Sequence, residues 1–305
     1  MTDGAVAARA ARESVLAARA TDRTGILVRG KDRTSWLNGL VTCELAKLGP
    51  TDGAYGLIVE KKGRIQTDFF AAPAAGSGDP LALAVPRDGR DAILETLDHY
   101  LVMEDAELEG ADLVFWHLHG PRAAAVMADL AATYAGTLDL LGAGGAVVAA
   151  PAADAEATAD RIAALVRSCG GAIVDDETWD AIRIERGIPR FGVEVDATLY
   201  PQEASLEKLA VSFDKGCYLG QEVVYMLENR GHVKRKLVSL DVEGDGALAK
   251  GAPVTTPEGA PVGDVKSSVI GPEAGRPVAL AMVKWAQTKP GTELRAGDRV
   301  ARVRA

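Results

Sequence analysis

Nine consecutive residues, Asp214-Lys215-Gly216-Cys217-Tyr218-Leu219-Gly220-Gln221-Glu222, bring a thiol, an ammonium, a phenol, an amide and two carboxylates together around two glycines. Cys217 lies two residues after Lys215, and a cation that close can favour the thiolate, the form that attacks disulfides or binds metals. Such a cysteine suits transient thiol–disulfide exchange, or joint ligation of a metal or cluster with a partner. Gly216 and Gly220 allow backbone angles, or a close approach, that other residues do not. A glycine turn around a buried cysteine acting as a small hydrophobe is the other reading. Local chemistry leaves both open.

Other candidates are weaker. Trp116-His117-Leu118-His119 puts two histidines on one strand face, but no cysteine or carboxylate follows at metal-ligand spacing. Cys43, Cys169 and Cys217 are far apart, odd in number and lack a C-x-x-C pair, which argues against a self-contained zinc or iron–sulfur site and against a disulfide framework. Gly142-Ala143-Gly144-Gly145 precedes a strand rather than a helix and lacks dinucleotide-binding spacing. Arg183 and Glu185 are two apart on a helix, do not share a face, and suit anchoring separate loops. Arg230, Lys234, Arg235 and Lys236 form the main basic cluster.

The elements that must position these residues follow from periodicity. The chain has 305 residues, a formal net charge of −9 and 48% hydrophobic residues. It has room for two or three domains and lacks the basic excess of a general nucleic-acid binder. No apolar run reaches membrane-spanning length. The alanine-rich start reads as an ordinary helix over residues 5–20 of a cytoplasmic protein. A strand over 24–29, a helix over 35–48, a hairpin over 53–70, a strand over 81–85, a helix around 93–101 and strand over 106–119 indicate an α+β unit. A second α+β unit follows, with a strand at 146–150 and helices ending near 169 and 186, and it hints at an internal repeat. Residues 188–213 form a long polar loop, a feature usually functional inside a compact domain. Beyond residue 233, short strands alternate with Gly/Pro turns, the texture of a small β-barrel. The expected division is 1–115, 116–232 and 233–305.

At Lys215-Gly216-Cys217-Tyr218-Leu219-Gly220-Gln221-Glu222 the chain resembles the YgfZ-like branch of the aminomethyltransferase (GcvT) superfamily, which carries a K-G-C-Y-x-G-Q-E signature. Trp36–Thr42 resembles the family's first helix, Gly63-Arg64 to Asp68 its G-R-x-x-x-D hairpin, and Arg183 to Pro189 its R-x-E-x-G-x-P element. Pro201-Gln202-Glu203 resembles its P-x-E loop and Arg230–Arg235 its R-G-x-x-x-R segment. In one departure, Met226 stands where many relatives carry a basic residue.

The resemblance implies a three-domain ring, with two α+β units around a central channel and a C-terminal β-barrel. It implies a monomeric, cytoplasmic folate-binding protein that supports assembly, maturation or repair of iron–sulfur enzymes, with Cys217 as its key thiol and iron–sulfur enzymes or assembly factors as partners. The alternative is a tetrahydrofolate-dependent one-carbon transferase, in which Asp68 places the amine or folate. Candidate folate contacts are Asp68, Glu203, Lys215, Tyr218, Glu222 and Arg230. The Arg230 cluster could receive a polyanionic folate tail. Structural duties compete with these roles, above all for Gln221, which could brace the motif. A tRNA-directed role is disfavoured by the acidic charge.

Overall fold

The computed structural model describes residues 3–304. In chain order its elements are α1 (Asp3–Glu13), β1 (Leu16–Ala20), β2 (Arg23–Arg29), α2 (Arg33–Asn38), β3 (Ala54–Val59), β4 (Ile65–Pro73), β5 (Leu81–Pro86), α3 (Arg90–Asp98), β6 (Glu107–Ala111), β7 (Leu113–His119), α4 (Ala123–Leu130), β8 (Tyr134–Thr137), β9 (Gly145–Pro151), α5 (Ala155–Ser168), β10 (Ala172–Val174), α6 (Asp176–Glu185), α7 (Glu207–Ala210) and α8 (Gln221–Asn229). Six barrel strands follow: β11 (Arg235–Val242), β12 (Pro253–Thr255), β13 (Pro261–Ile270), β14 (Pro277–Lys284), β15 (Glu293–Ala296) and β16 (Arg299–Val303).

Two five-stranded sheets, ordered β3-β4-β5-β2-β6 and β10-β1-β7-β9-β8, face one another, and the last six strands close into a barrel as β16 pairs back with β11. Strand alternation divides the side chains between faces. Phe69, Ile26 and Val28 turn outward under α2 and α3; Trp116, Leu118 and Val148 turn outward under α4 and α5. Leu27, Phe70, Phe115 and Val147 turn inward and share one core between the sheets. The order β4-β5-β2-β6 recurs as β8-β9-β7-β10 with β1 inserted before the last strand, and in both halves a strand ending in proline (Pro86, Pro151) enters a 3-10 turn and then a helix. That is the internal repeat hinted at by the sequence.

Two expectations need correction, and three short strands gave no signal. Residues 16–20 are a strand, not the end of a helix. Alanine favours helix, but β1 is an internal strand of its sheet, antiparallel to β7 and parallel to β10, and those pairings outweigh a weak local preference. The first 20 residues therefore contribute a strand to the second sheet, whereas β2 belongs to the first. The helix expected over 35–48 stops at Asn38; Leu40, Val41 and Leu45 are buried from irregular backbone instead. Strands β8, β10 and β15, with three or four residues each, were too short for a periodic signal.

Candidate functional site

Between β1 and β2 the chain crosses from one sheet to the other, and a slot opens at that crossing. Its walls come from Arg19, Asp22 and Arg23 at the crossing, Tyr55, Asp68 and Phe70 of the first sheet, His117 of the second, Trp179 and Arg183 of α6, and Pro189-Arg190. Asp68 and Phe70 are two apart on β4 and share its inner face, as do His117 and His119 on β7.

Arg23 binds Asp68 through both nitrogens: Nη1 donates to Oδ1 at 2.7 Å and Nη2 to Oδ2 at 3.1 Å, while the Tyr55 hydroxyl donates to Oδ2 at 3.1 Å. Both charged side chains are buried, and Asp22 adds a second carboxylate 3.4 Å from Arg23 Nε. Burial works against the Arg23 charge, but Asp68 more than offsets it and raises the guanidinium's pKa. The Arg23 guanidinium also lies over the Phe70 ring, 5.2 Å from its centroid. A carboxylate has about four lone-pair positions; three are used here. Asp68 can take one more hydrogen bond from a ligand but is not a free base.

An aromatic ladder forms the other wall. Phe70 meets His117 edge-on at 4.6 Å, and Trp179 stacks on His119 at 4.6 Å with planes 6° apart. His117 Nδ1 and both His119 ring nitrogens are buried without a hydrogen-bond partner. Burial pushes His117 down to about 4 and His119 well below its usual value, so both are neutral. Among the described residues, no group of three or more His, Cys, Asp or Glu side chains is placed to hold a metal ion.

The slot is tight, with a cavity volume of about 40 Å³, enough for a few waters. At Asp22 and Arg190 it adjoins a much larger, mostly apolar groove of about 690 Å³, lined by Ile58, Thr67, Arg87, Ile93 and Phe191 among others. The loop that carries Arg190 is held from below. Arg183 donates to both Glu194 oxygens at 3.0 and 3.1 Å and to the Ile188 carbonyl, while Glu185 accepts from the Glu273 and Ala274 amides of the barrel. The two side chains thus anchor separate loops.

Of the candidate catalytic and folate-contact residues only Asp68 lines the slot; of the weaker sequence candidates, His117 and Arg183 line it too. Cys217 is exposed on the loop before α8 and is not among the slot or groove residues. Lys215 is buried, and its ammonium donates to the carbonyls of Asn38, Val41 and Cys43. Tyr218 is buried against Lys215, and burial raises its phenol pKa. Glu203 accepts from the Tyr200 amide at 3.1 Å and lies 3.5 Å from Arg235, bracing the loop against the barrel. Glu222 and Arg230 are exposed at opposite ends of α8. Gln221 reaches the Gly216 carbonyl at 3.5 Å, a loose brace.

Of the two motif glycines, only Gly220 is explained by the backbone. Its φ is 78°, and a Cβ there would stand 2.4 Å from the Glu60 carbonyl. A Cβ on Gly216 would meet nothing within 4 Å. The missing side chain leaves open surface beside Cys217.

Sequence reasoning passed over Arg23, Tyr55, Trp179 and Arg190. A usable signal existed for Arg23: a charge heading a strand whose next five residues, 24–28, carry none.

Residues 235–305 match the glycine cleavage T-protein C-terminal barrel domain, over the closed barrel seen here. An aminomethyltransferase of Herpetosiphon aurantiacus is 31% identical over 189 residues, which cover 62% of this chain and half of that protein's length. A protein of Vibrio vulnificus named tRNA-modifying protein YgfZ is 28% identical over 230 residues, 73% of this chain and 68% of that protein. The crystal structure of glycine cleavage system aminomethyltransferase T from Bartonella henselae superposes with a TM-score of 0.81 over 99% of this chain and 88% of that one, at 20% identity, which establishes the shared fold. Together with the octapeptide at 215–222, these matches support a YgfZ-like protein of the aminomethyltransferase (GcvT) superfamily.

Proposed function

We propose that this chain is a folate-binding accessory protein that supports assembly, maturation or repair of iron–sulfur enzymes, with Cys217 as its working thiol. The observation that carries the reading is the separation of two features. A slot suited to a flat heteroaromatic ring opens where the chain crosses between the sheets, and a groove against the first sheet and α3 adjoins it, while an exposed cysteine stands outside both on the signature loop. The residues fit a reduced folate. Phe70, His117 and Trp179 offer ring faces and edges, Asp68 has one acceptor position left, and Arg87 and Arg190 border a groove wide enough for the p-aminobenzoyl arm. Entry into the tight slot requires Trp179 or Arg190 to move.

A one-carbon transferase is supported less well. It would need Asp68 to take or orient an amine proton, yet Arg23 and Tyr55 already occupy both of its oxygens. The name of the Vibrio relative raises an RNA-facing alternative. With net charge −9, the chain suits an aid to an enzyme better than a surface for phosphates; tRNA binding that weakens steeply with salt would favour the alternative.

The test assays an iron–sulfur enzyme in cells carrying wild type, Cys217→Ser or Asp68→Asn, with folate binding measured on each purified protein. Cys217→Ser is expected to lose support for the enzyme and keep folate binding. Full support from Cys217→Ser would sink the proposal.

A further inference from the structure

Three backbone carbonyls converge on Lys215 Nζ: Asn38 at 2.7 Å, Val41 at 2.8 Å and Cys43 at 2.6 Å. All belong to the irregular turn that begins where α2 ends. An ammonium has three N–H groups and no acceptor, so donors and acceptors match one for one. The Tyr218 ring flanks the group, its centroid 5.2 Å from Nζ, in cation–π range. None of these partners is a carboxylate, so the arrangement is a cation among carbonyl dipoles and not an ion pair.

The surrounding contacts show what this seat holds. The Ser212 amide donates to the Thr42 carbonyl at 2.9 Å, and the Leu219 amide to the Gly39 carbonyl at 3.0 Å. Between those two ties, residues 213–218 form an arch over the 38–43 turn. Lys215 reaches down from the arch, while Cys217 stands exposed on it. Lys215 is only 8% exposed. Burial pulls its pKa down to about 8, but a neutral amine would bring two N–H groups to three acceptors, so the carbonyls favour the charged form.

We infer that the carbonyls of Asn38, Val41 and Cys43 form a cation seat, that the Lys215 ammonium is its built-in occupant, and that filling the seat fixes the arch presenting Cys217. Lys215 is then a positioning residue for the thiol. Its consequence for function rests on the reading of Cys217 as the working group; the seat itself does not. With the ammonium removed, the carbonyls lose their donor, and a free alkylammonium small enough to enter can replace it.

The experiment uses the full chain with Cys169→Ser, so that the accessible thiol is Cys217. Lys215→Ala is compared with Lys215→Met, which fills the space without N–H groups. Each is measured in methylammonium chloride and in equimolar tetramethylammonium chloride, which has no N–H. The readouts are amide exchange at Ser212 and Leu219 and the rate at which Cys217 attacks an aromatic disulfide. Both variants are expected to exchange about tenfold faster or more and to show an altered thiol rate. Methylammonium should restore Lys215→Ala saturably, tetramethylammonium should not, and Lys215→Met should respond to neither. If Lys215→Ala fails to fold alone, methylammonium is expected to recover folding. Wild-type exchange in Lys215→Met, or no advantage of methylammonium over tetramethylammonium, overturns the seat. A confirmed seat with undiminished iron–sulfur support from Lys215→Met would instead count against Cys217 as the working thiol.

Discussion

Arg23 and Asp68 sit two strands apart in the first sheet, on β2 and β4, yet the guanidinium holds both carboxylate oxygens, at 2.7 and 3.1 Å. Both side chains line the slot. The pair makes the slot costly to alter by halves. Breaking a buried pair by removing one partner typically costs about 3–5 kcal/mol, because the other charge is left uncompensated. Arg23→Met and Asp68→Leu should each lower stability by about that much in denaturant unfolding. The double variant should lose much less than the sum. Additive losses would mean that the two charges are separately solvated.

Acid should destabilise the protein through the aromatic ladder. His117 has a native pKa of about 4 against a reference of 6.5, because burial, with Arg23 adding to it, disfavours the imidazolium. Between those values the unfolded chain binds the proton and the native chain does not. Stability from this group is therefore full above pH 6.5 and falls as pH drops toward 4, by roughly 3 kcal/mol. His119, lowered further, steepens the decline. In unfolding curves from pH 7 to pH 4, His117→Phe should flatten the dependence. A slope unchanged by that substitution would show that His117 is not buried in its neutral form.

The motif glycines should separate stability from function. Gly220→Ala forces a Cβ against the Glu60 carbonyl at a φ of 78°, and should cost more than about 1 kcal/mol. Gly216→Ala meets nothing, so its melting temperature should match wild type. If a partner docks beside Cys217, Gly216→Ala should still impair support of an iron–sulfur enzyme. Normal support would mean the space beside the thiol is unused.

Thiol labelling should follow burial. Cys217 is exposed, Cys169 half-buried and Cys43 buried, and burial pushes the Cys43 thiol up to about 12. A thiol reagent followed by mass spectrometry should modify Cys217 first in the native protein and Cys43 only on unfolding. Early modification of Cys43 would contradict the packing of the turn over residues 38–43.

The barrel was legible because Gly/Pro turns punctuate strands of regular spacing, and β4 because Phe69 and Phe70 alternate across its faces. Asp68 was reached through its resemblance to the family's G-R-x-x-x-D hairpin, beside Phe69 and Phe70. Its partner was not, since nothing local to Arg23 shows that β2 lies two strands from β4. The role of Lys215 was out of reach for the same reason: its acceptors lie more than 170 residues away and are backbone atoms, which carry no residue signature. Among the described residues, no helix is long and apolar enough to cross a membrane.

The central claim is that the crossing between the sheets binds a reduced folate. Tetrahydrofolate titrated into wild type should quench tryptophan fluorescence saturably, since Trp179 borders the slot. Trp179→Ala and Asp68→Asn should weaken binding by about tenfold or more, as expected for loss of a stacked ring or a charged acceptor, whereas Arg230→Ala, exposed at the end of α8, should leave it unchanged. No saturable binding, or binding that Trp179→Ala and Asp68→Asn do not affect, would contradict the account.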